Sequence, residues 1–331
     1  MKRFVNNPKN FVPEMLHGLA LANPDTLEYV PEYNLIKRTD APIQGKVSII
    51  QGSGSGHEPA HAMVVGKGML DAACPGDVFA APPTEYVVET VRRLHSDKGV
   101  LLLVNNYTGD KMAFEMAAEI ASAEGVKVRT LFINDDVAVE DSLYTIGRRG
   151  VAGNFFVIKA VGAAAEAGAD LEEVVRIGEK VNAATRTFGV ALSACIPPSK
   201  GSPLFDLAED EMEVGIGIHG EPGRRRVKIT SADEIVEDLL NAVVPDLPFV
   251  AGDEVALMIN GLGATPISEL YLLYGIAHMK LADAGVRVTR SYVGEYCTSL
   301  DMAGASLTLV KLDQEINELL NAPAEVPVRV F

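Results

Sequence analysis

The run Gly99-Val100-Leu101-Leu102-Leu103-Val104-Asn105 leaves few folds open. It has strand length and no polar alternation, so both faces must be buried, the condition of a strand inside a parallel sheet. A polar loop follows, Asn106-Tyr107-Thr108-Gly109-Asp110, then helical periodicity over 112–124, a stop at Gly125 and a further strand over 127–133. Strand, loop and helix alternating in this way predict an α/β fold with helices flanking a mostly parallel or mixed sheet. A length of 331 residues suffices for two such domains. The boundary is placed near Thr185, giving an N-terminal α/β domain over 1–184 and a C-terminal α/β domain over 185–331.

In an open α/β sheet, ligands collect where strands end. One such end follows the strand over 46–50: Gly52-Ser53-Gly54-Ser55-Gly56-His57-Glu58-Pro59. A second loop of related form comes much later, Gly215-Ile216-Gly217-Ile218-His219-Gly220-Glu221-Pro222-Gly223. Glycines let the backbone approach a small molecule closely, and each loop delivers one imidazole. Two such loops suggest two imidazoles aimed at one polar substrate. Asp110, at the end of the 99–105 strand, joins them as a candidate general base, its plain alternative being a helix N-cap.

Composition excludes other classes. A formal charge of −16 argues against a nucleic-acid surface. No apolar run reaches membrane-span length, and the first residues lack a signal-peptide core. The chain is therefore expected in the cytoplasm, binding neither nucleic acid nor membrane. Cys74, Cys195 and Cys297 are too far apart for a zinc site and read as buried thiols.

Other motifs resolve into ordinary structure. The spacing around Gly66-Lys67-Gly68 fails as a phosphate-binding loop, with His61 and Gly68 in the wrong places. Gly215, Gly217 and Gly220 have dinucleotide spacing, but Pro222 and Gly223 forbid the helix that would receive a pyrophosphate. His17, His95 and His278 read as surface or packing residues, and His61 as a poor metal ligand behind Pro59. Asp135-Asp136 with Glu140-Asp141 reads as an acidic helix start rather than a magnesium site. Arg224-Arg225-Arg226 is either a solvated turn or a contact for an acidic partner. Helices are expected over 10–21, 60–68, 85–95 with Thr84 as cap, 154–184 with interruptions at Gly162 and Gly168, 232–243, 268–284 and 313–322. Further strands are expected over 191–195, 214–218, 254–260, 286–292 and 305–311. The connection between Pro24 and Pro31 reads as irregular.

The two histidine loops, the Asn-Tyr-Thr-Gly-Asp loop, and stretches such as Gly263-Ala264-Thr265-Pro266 and Tyr296-Cys297-Thr298-Ser299-Leu300-Asp301-Met302 resemble the DhaK family of dihydroxyacetone kinase subunits. So do 66–76, 134–139, 141–145 and 147–150, and the likeness runs over essentially the whole chain. It implies that His219 attacks a ketone and holds it as a covalent hemiaminal. It implies that His57 and Asp110 act on the substrate hydroxyls, with Gly54, Ser55, Gly56 and Asn105 lining the pocket. It also implies that this chain carries no nucleotide or metal. ADP or ATP and Mg²⁺ belong to a separate DhaL-type partner, recharged in many bacteria by the phosphotransferase system, and the subunit is a homodimer. The chain stops at Phe331 without the nucleotide domain of the ATP-dependent kinases. In one place it departs from the pattern: the family often has lysine where Asn105 stands. That departure keeps open a larger ketose such as erythrulose, or a ketose-sensing regulator of the DhaQ type.

Overall fold

The computed structural model describes residues 3–139 and 147–328. Its strands form two six-stranded sheets and one two-stranded ribbon. The first sheet runs, in spatial order, Leu27–Val30, Leu35–Arg38, Ala72–Ala73, Ser48–Gln51, Val100–Asn105 and Val128–Ile133. Its last four strands are mutually parallel. Every residue of Val100–Asn105 is buried. Val100, Leu102 and Val104 enter the core under helices Thr84–Leu94 and Thr108–Ala123. Leu101 and Leu103 enter the opposite core, with Phe156 and Val174 of helices Asn154–Glu166 and Leu171–Ala183. Side chains alternating across a pleat explain why a strand covered on both faces has no polar positions.

The second sheet runs Arg225–Lys228, Glu211–Val214, Thr185–Ala191, Gly304–Lys311, Glu254–Gly261 and Arg287–Gly294. It is antiparallel except for its last pair. Val255, Leu257 and Ile259 face helices Ala232–Val243 and Ile267–Asp283, whereas Ala256 and Met258 join the core of the first half. Helix Asn154–Glu166 lies at this junction. Its residues are buried from Asn154 through Ala165, and Phe156 meets Tyr292 edge-on at 5.1 Å. Its one lysine, Lys159, is buried and donates to Leu319 O at 3.0 Å, and the helix packs into a core shared by the two sheets.

Several expectations need correction. The segment over 60–68 is not a helix but a buried loop with one 3₁₀ turn, Ala62–Val64. Gly66 and Gly68 lie directly against the carbonyls of Glu325 and Pro323, so the C-terminal segment takes the space a helix would need. Thr84 is the first residue of its helix rather than its cap, Pro83 holding that place. The long helix over 154–184 is two, parted at Gly168 (φ +87°), while Gly162 stays inside the first. The strand placed over 191–195 ends at Ala191, and the one over 214–218 ends at Val214, where Gly215 (φ +86°) turns the chain out of the sheet. Leu27–Val30 and Leu35–Arg38 form a hairpin where an irregular connection was expected, with Pro31 in the turn rather than in a strand. Arg224, Arg225 and Arg226 are exposed, as a solvated turn would be. They bind the backbone of Val137 and Ala138, Asp238, and Glu213 respectively, along an edge strand.

Candidate active site

The loop after Ser48–Gln51 is drawn inward by the other half of the chain. The backbone N–H of Leu300 donates to Gly56 O at 2.8 Å, and that of Thr298 to His57 O at 3.1 Å. His57 is thereby fully buried. Its Nδ1 lies 2.8 Å from the carbonyl oxygen of Thr298. The loop after Glu211–Val214 brings His219 to the same place, its side chain 17% exposed. The two Nε2 atoms are 3.0 Å apart. In this second loop the Glu221 carboxylate accepts twice from His219: from its backbone N–H at 3.0 Å and from Nδ1 at 2.8 Å.

The tautomers follow from these acceptors. A carbonyl only accepts, so His57 Nδ1 carries hydrogen. A carboxylate only accepts, so His219 Nδ1 carries hydrogen as well. The lone pairs of both rings then meet at Nε2, 3.0 Å apart. Both Nε2 lone pairs thus point into one spot, with the Glu221 carboxylate beside the more exposed ring. Burial, with the charge of His219, pushes the His57 pKa well below its ordinary value, against the opposing pull of the Thr298 carbonyl. Burial also pushes Glu221 upward, but its hydrogen bond from His219 and the charges of His219 and Arg149 outweigh this and hold it at about 2.

Asp110 is the third expected residue, and it is buried. Its place is the first turn of helix Thr108–Ala123, Tyr107 being the N-cap, so it does not act as a cap. Oδ2 accepts from the Ser53 hydroxyl at 3.2 Å, while Oδ1 has no partner. Burial raises its pKa to about 7, against the charge of His219 and the Ser53 hydrogen bond. A carboxyl group poised there can take or give a proton at neutral pH. Asn105 is buried too; its Oδ1 accepts from Gln51 Nε2 at 3.4 Å and its Nδ2 lacks a partner.

Of the glycine-loop residues, Gly54, Ser55 and Gly56 are all buried. Ser55 Oγ donates to Gly76 O at 2.8 Å, and the Gly56 N–H is taken by Glu58. His61, set aside as a metal ligand, is buried with neither ring nitrogen partnered, and burial pushes its pKa down to about 3. His17, His95 and His278 are exposed. Asp135 and Asp136 begin no helix. Asp135 accepts from the N–H groups of Val151 and Gly153, and Asp136 pairs with Arg149 at 2.7 Å. Glu140, Asp141 and the matched stretch over 141–145 lie outside the described residues. Among the described residues no group of three His, Cys, Asp or Glu is placed to hold a metal, and no helix is long and apolar enough to cross a membrane.

Four contributors were missed from sequence: Glu221 as the partner of His219, Thr298 as the partner of His57, and the rings of Phe79 and Tyr107. Phe79 stacks on His57 at 5.1 Å. Phe79 and Tyr107 meet His219 edge-on at 5.4 and 4.6 Å. Glu221 stood in the quoted motif, two residues past the histidine, and that spacing was the available signal.

The Dak1 domain model matches residues 17–328. The dihydroxyacetone-binding subunit DhaK of PTS-dependent dihydroxyacetone kinase 1 from Listeria innocua is 48% identical, covering 95% of each chain. The corresponding subunit of the PEP-dependent kinase from Escherichia coli is 43% identical over 99% of this chain and 98% of its own. A D-erythrulose kinase of Mycolicibacterium smegmatis is 41% identical over 99% of this chain but only 56% of its own length. Among solved structures, the dihydroxyacetone kinase operon co-activator DhaQ superposes with a TM-score of 0.89 at 36% identity, covering 95% of this chain and 97% of its own. With DhaK subunits matched end to end and the family model spanning nearly the whole sequence, this chain belongs to the Dak1 family.

Proposed function

We propose that this chain is the dihydroxyacetone-binding subunit of a dihydroxyacetone kinase, holding its ketose covalently on His219 while a partner delivers the phosphoryl group. The observation that carries this is the contact between the two Nε2 atoms with both Nδ1 atoms already committed. Such a pair offers a nucleophilic lone pair on His219 and a proton carrier in His57 at the same spot, which is what addition to a carbonyl needs.

The step balances. His219 Nε2 bonds to the carbonyl carbon, and the carbon–oxygen π pair moves to oxygen. A proton taken from solvent and carried on His57 Nε2, a strong donor because of its lowered pKa, passes to that oxygen and gives a hydroxyl. His219 is then an N-substituted imidazolium beside the Glu221 carboxylate, and His57 is neutral again with its Nε2 lone pair free. Selection is chemical: ketones and aldehydes add, whereas a polyol without a carbonyl does not. Tethering also fixes the terminal hydroxyl for attack on phosphorus. Its proton passes to Asp110, whose Oδ1 is an unpartnered acceptor, or to His57.

The nucleotide and Mg²⁺ sit on a separate DhaL-type subunit, the donor being recharged through the phosphotransferase system, and the chain works in the cytoplasm as a homodimer. The names of the DhaK relatives support the donor assignment. The test combines this chain with a DhaL-type subunit, a recharging system and dihydroxyacetone or erythrulose. Phosphorylated ketose should form only when both subunits are present. The likeness to DhaQ supports a second reading, a ketose-sensing regulator. Adduct formation without phosphoryl transfer to either ketose would favour it. Faster phosphorylation of erythrulose would assign the site to the longer substrate, in line with Asn105.

A further inference from the structure

Phe79 has an unusual backbone. It is one of three described non-glycine residues at positive φ, at +61°, a conformation that costs a bulky side chain energy and persists only where surroundings enforce it. Here they do. Strand Gly76–Val78 pairs in parallel with Gly54–Ser55, and the Phe79 N–H donates to Ser55 O at 2.9 Å. A Cβ on Gly54 would fall 2.8 Å from Phe79 Cα, and one on Gly56 would fall 2.8 Å from the Phe79 ring. Two glycines of the histidine loop thus make room for this residue. Its ring packs into a small cluster supplied by the second half, Ala191, Cys195, Ile216, Leu262 and Met302.

The result is a ring that touches both imidazoles: stacked on His57 (5.1 Å, 24° between planes) and edge-on to His219 (5.4 Å, 90°). Tyr107 stands edge-on to His219 as well (4.6 Å, 90°). We propose that Phe79 is a positioning residue of the site, fixing the planes of both imidazoles and keeping water from the face of His57. Glu221 and Thr298 each hold one ring nitrogen and leave rotation about that hydrogen bond open; flat rings close it. The inference rests on the covalent reading above, since it matters only if the Nε2 direction decides the rate of addition.

The groups facing His57 are His219, His61, Glu221 and the Thr298 carbonyl, so a rise in its titration on altering Phe79 reports water entry or displacement of His219, each a consequence of losing the positioning ring. The experiment follows addition of carbonyl-labelled dihydroxyacetone to Phe79→Leu, Phe79→Gly and Phe79→Tyr by stopped-flow and ¹³C NMR, with His57 followed by imidazole ¹⁵N titration. Leu keeps apolar bulk without a flat ring, Gly relieves the backbone, and Tyr keeps the ring. Misalignment of a reacting pair should slow addition by about tenfold to a hundredfold in the Leu and Gly variants. Their His57 should titrate higher, toward its ordinary value, and Tyr should restore most of the rate. Leu or Gly variants that melt like wild type, add ketone at its rate and leave His57 unchanged would overturn the proposal. If Gly fails to fold, the Leu and Tyr pair decides. Wild-type protein that forms no adduct at all would instead refute the covalent reading, so the two failures are distinguishable.

Discussion

The two histidine loops look alike in sequence and differ in one residue of spacing. In the first, glutamate follows histidine directly; in the second, Gly220 intervenes. In both, the glutamate accepts the backbone N–H two positions before it. In the first loop that N–H belongs to Gly56, so Glu58 braces the turn and His57 must find a carbonyl from Thr298. In the second it belongs to His219 itself, and the same carboxylate reaches Nδ1. One imidazole thus sits against a neutral acceptor in a dry interior, the other against an anion at the site's partly open side. The first suits proton transfer, the second a bond that leaves positive charge on the ring.

This contrast can be broken at either end. The largest effect belongs to His219→Ala, which should lose the adduct and with it turnover. Asp110→Asn should cut turnover by about 10²- to 10⁴-fold, the range for a removed general base. The wild-type rate should fall as pH drops through about 7, because a carboxyl raised to that value is protonated and unable to accept below it; the Asn variant should lack this limb. Glu221→Gln and His57→Gln sharpen the comparison. Removing the charged partner of a cationic product should weaken the adduct equilibrium by about tenfold to a hundredfold, on the order of 1.5–3 kcal/mol for a charge-assisted hydrogen bond. Removing His57 should slow both addition and release while leaving that equilibrium nearly in place, since a proton carrier changes rates alone. Equal equilibrium shifts in the two variants would erase the distinction between the loops. The smallest effect is expected from Arg225→Ala, an exposed pair with Asp238, where thermal stability should move by no more than about 1 kcal/mol.

What the sequence disclosed was the part written in local pattern. Val100–Asn105 declared its burial through unbroken apolar character, and the glycine loops declared themselves through composition. What stayed hidden depends on residues far apart in the chain. His57 is held by a backbone carbonyl, which every residue possesses, so no side chain could mark Thr298 as its partner. Phe79 reads as loop filler until the glycines opposite it are seen to make its space. The false helix over 60–68 failed for a similar reason: small apolar residues suit a helix locally, but the returning C-terminal segment occupies the ground.

The most direct test is ¹³C NMR of the protein with dihydroxyacetone labelled at the carbonyl carbon. The account predicts that the bound carbon leaves the ketone region for that of a carbon bearing oxygen and nitrogen, one per chain, and that His219→Ala abolishes the new signal. A ligand that saturates the protein while its labelled carbon stays a ketone would contradict it.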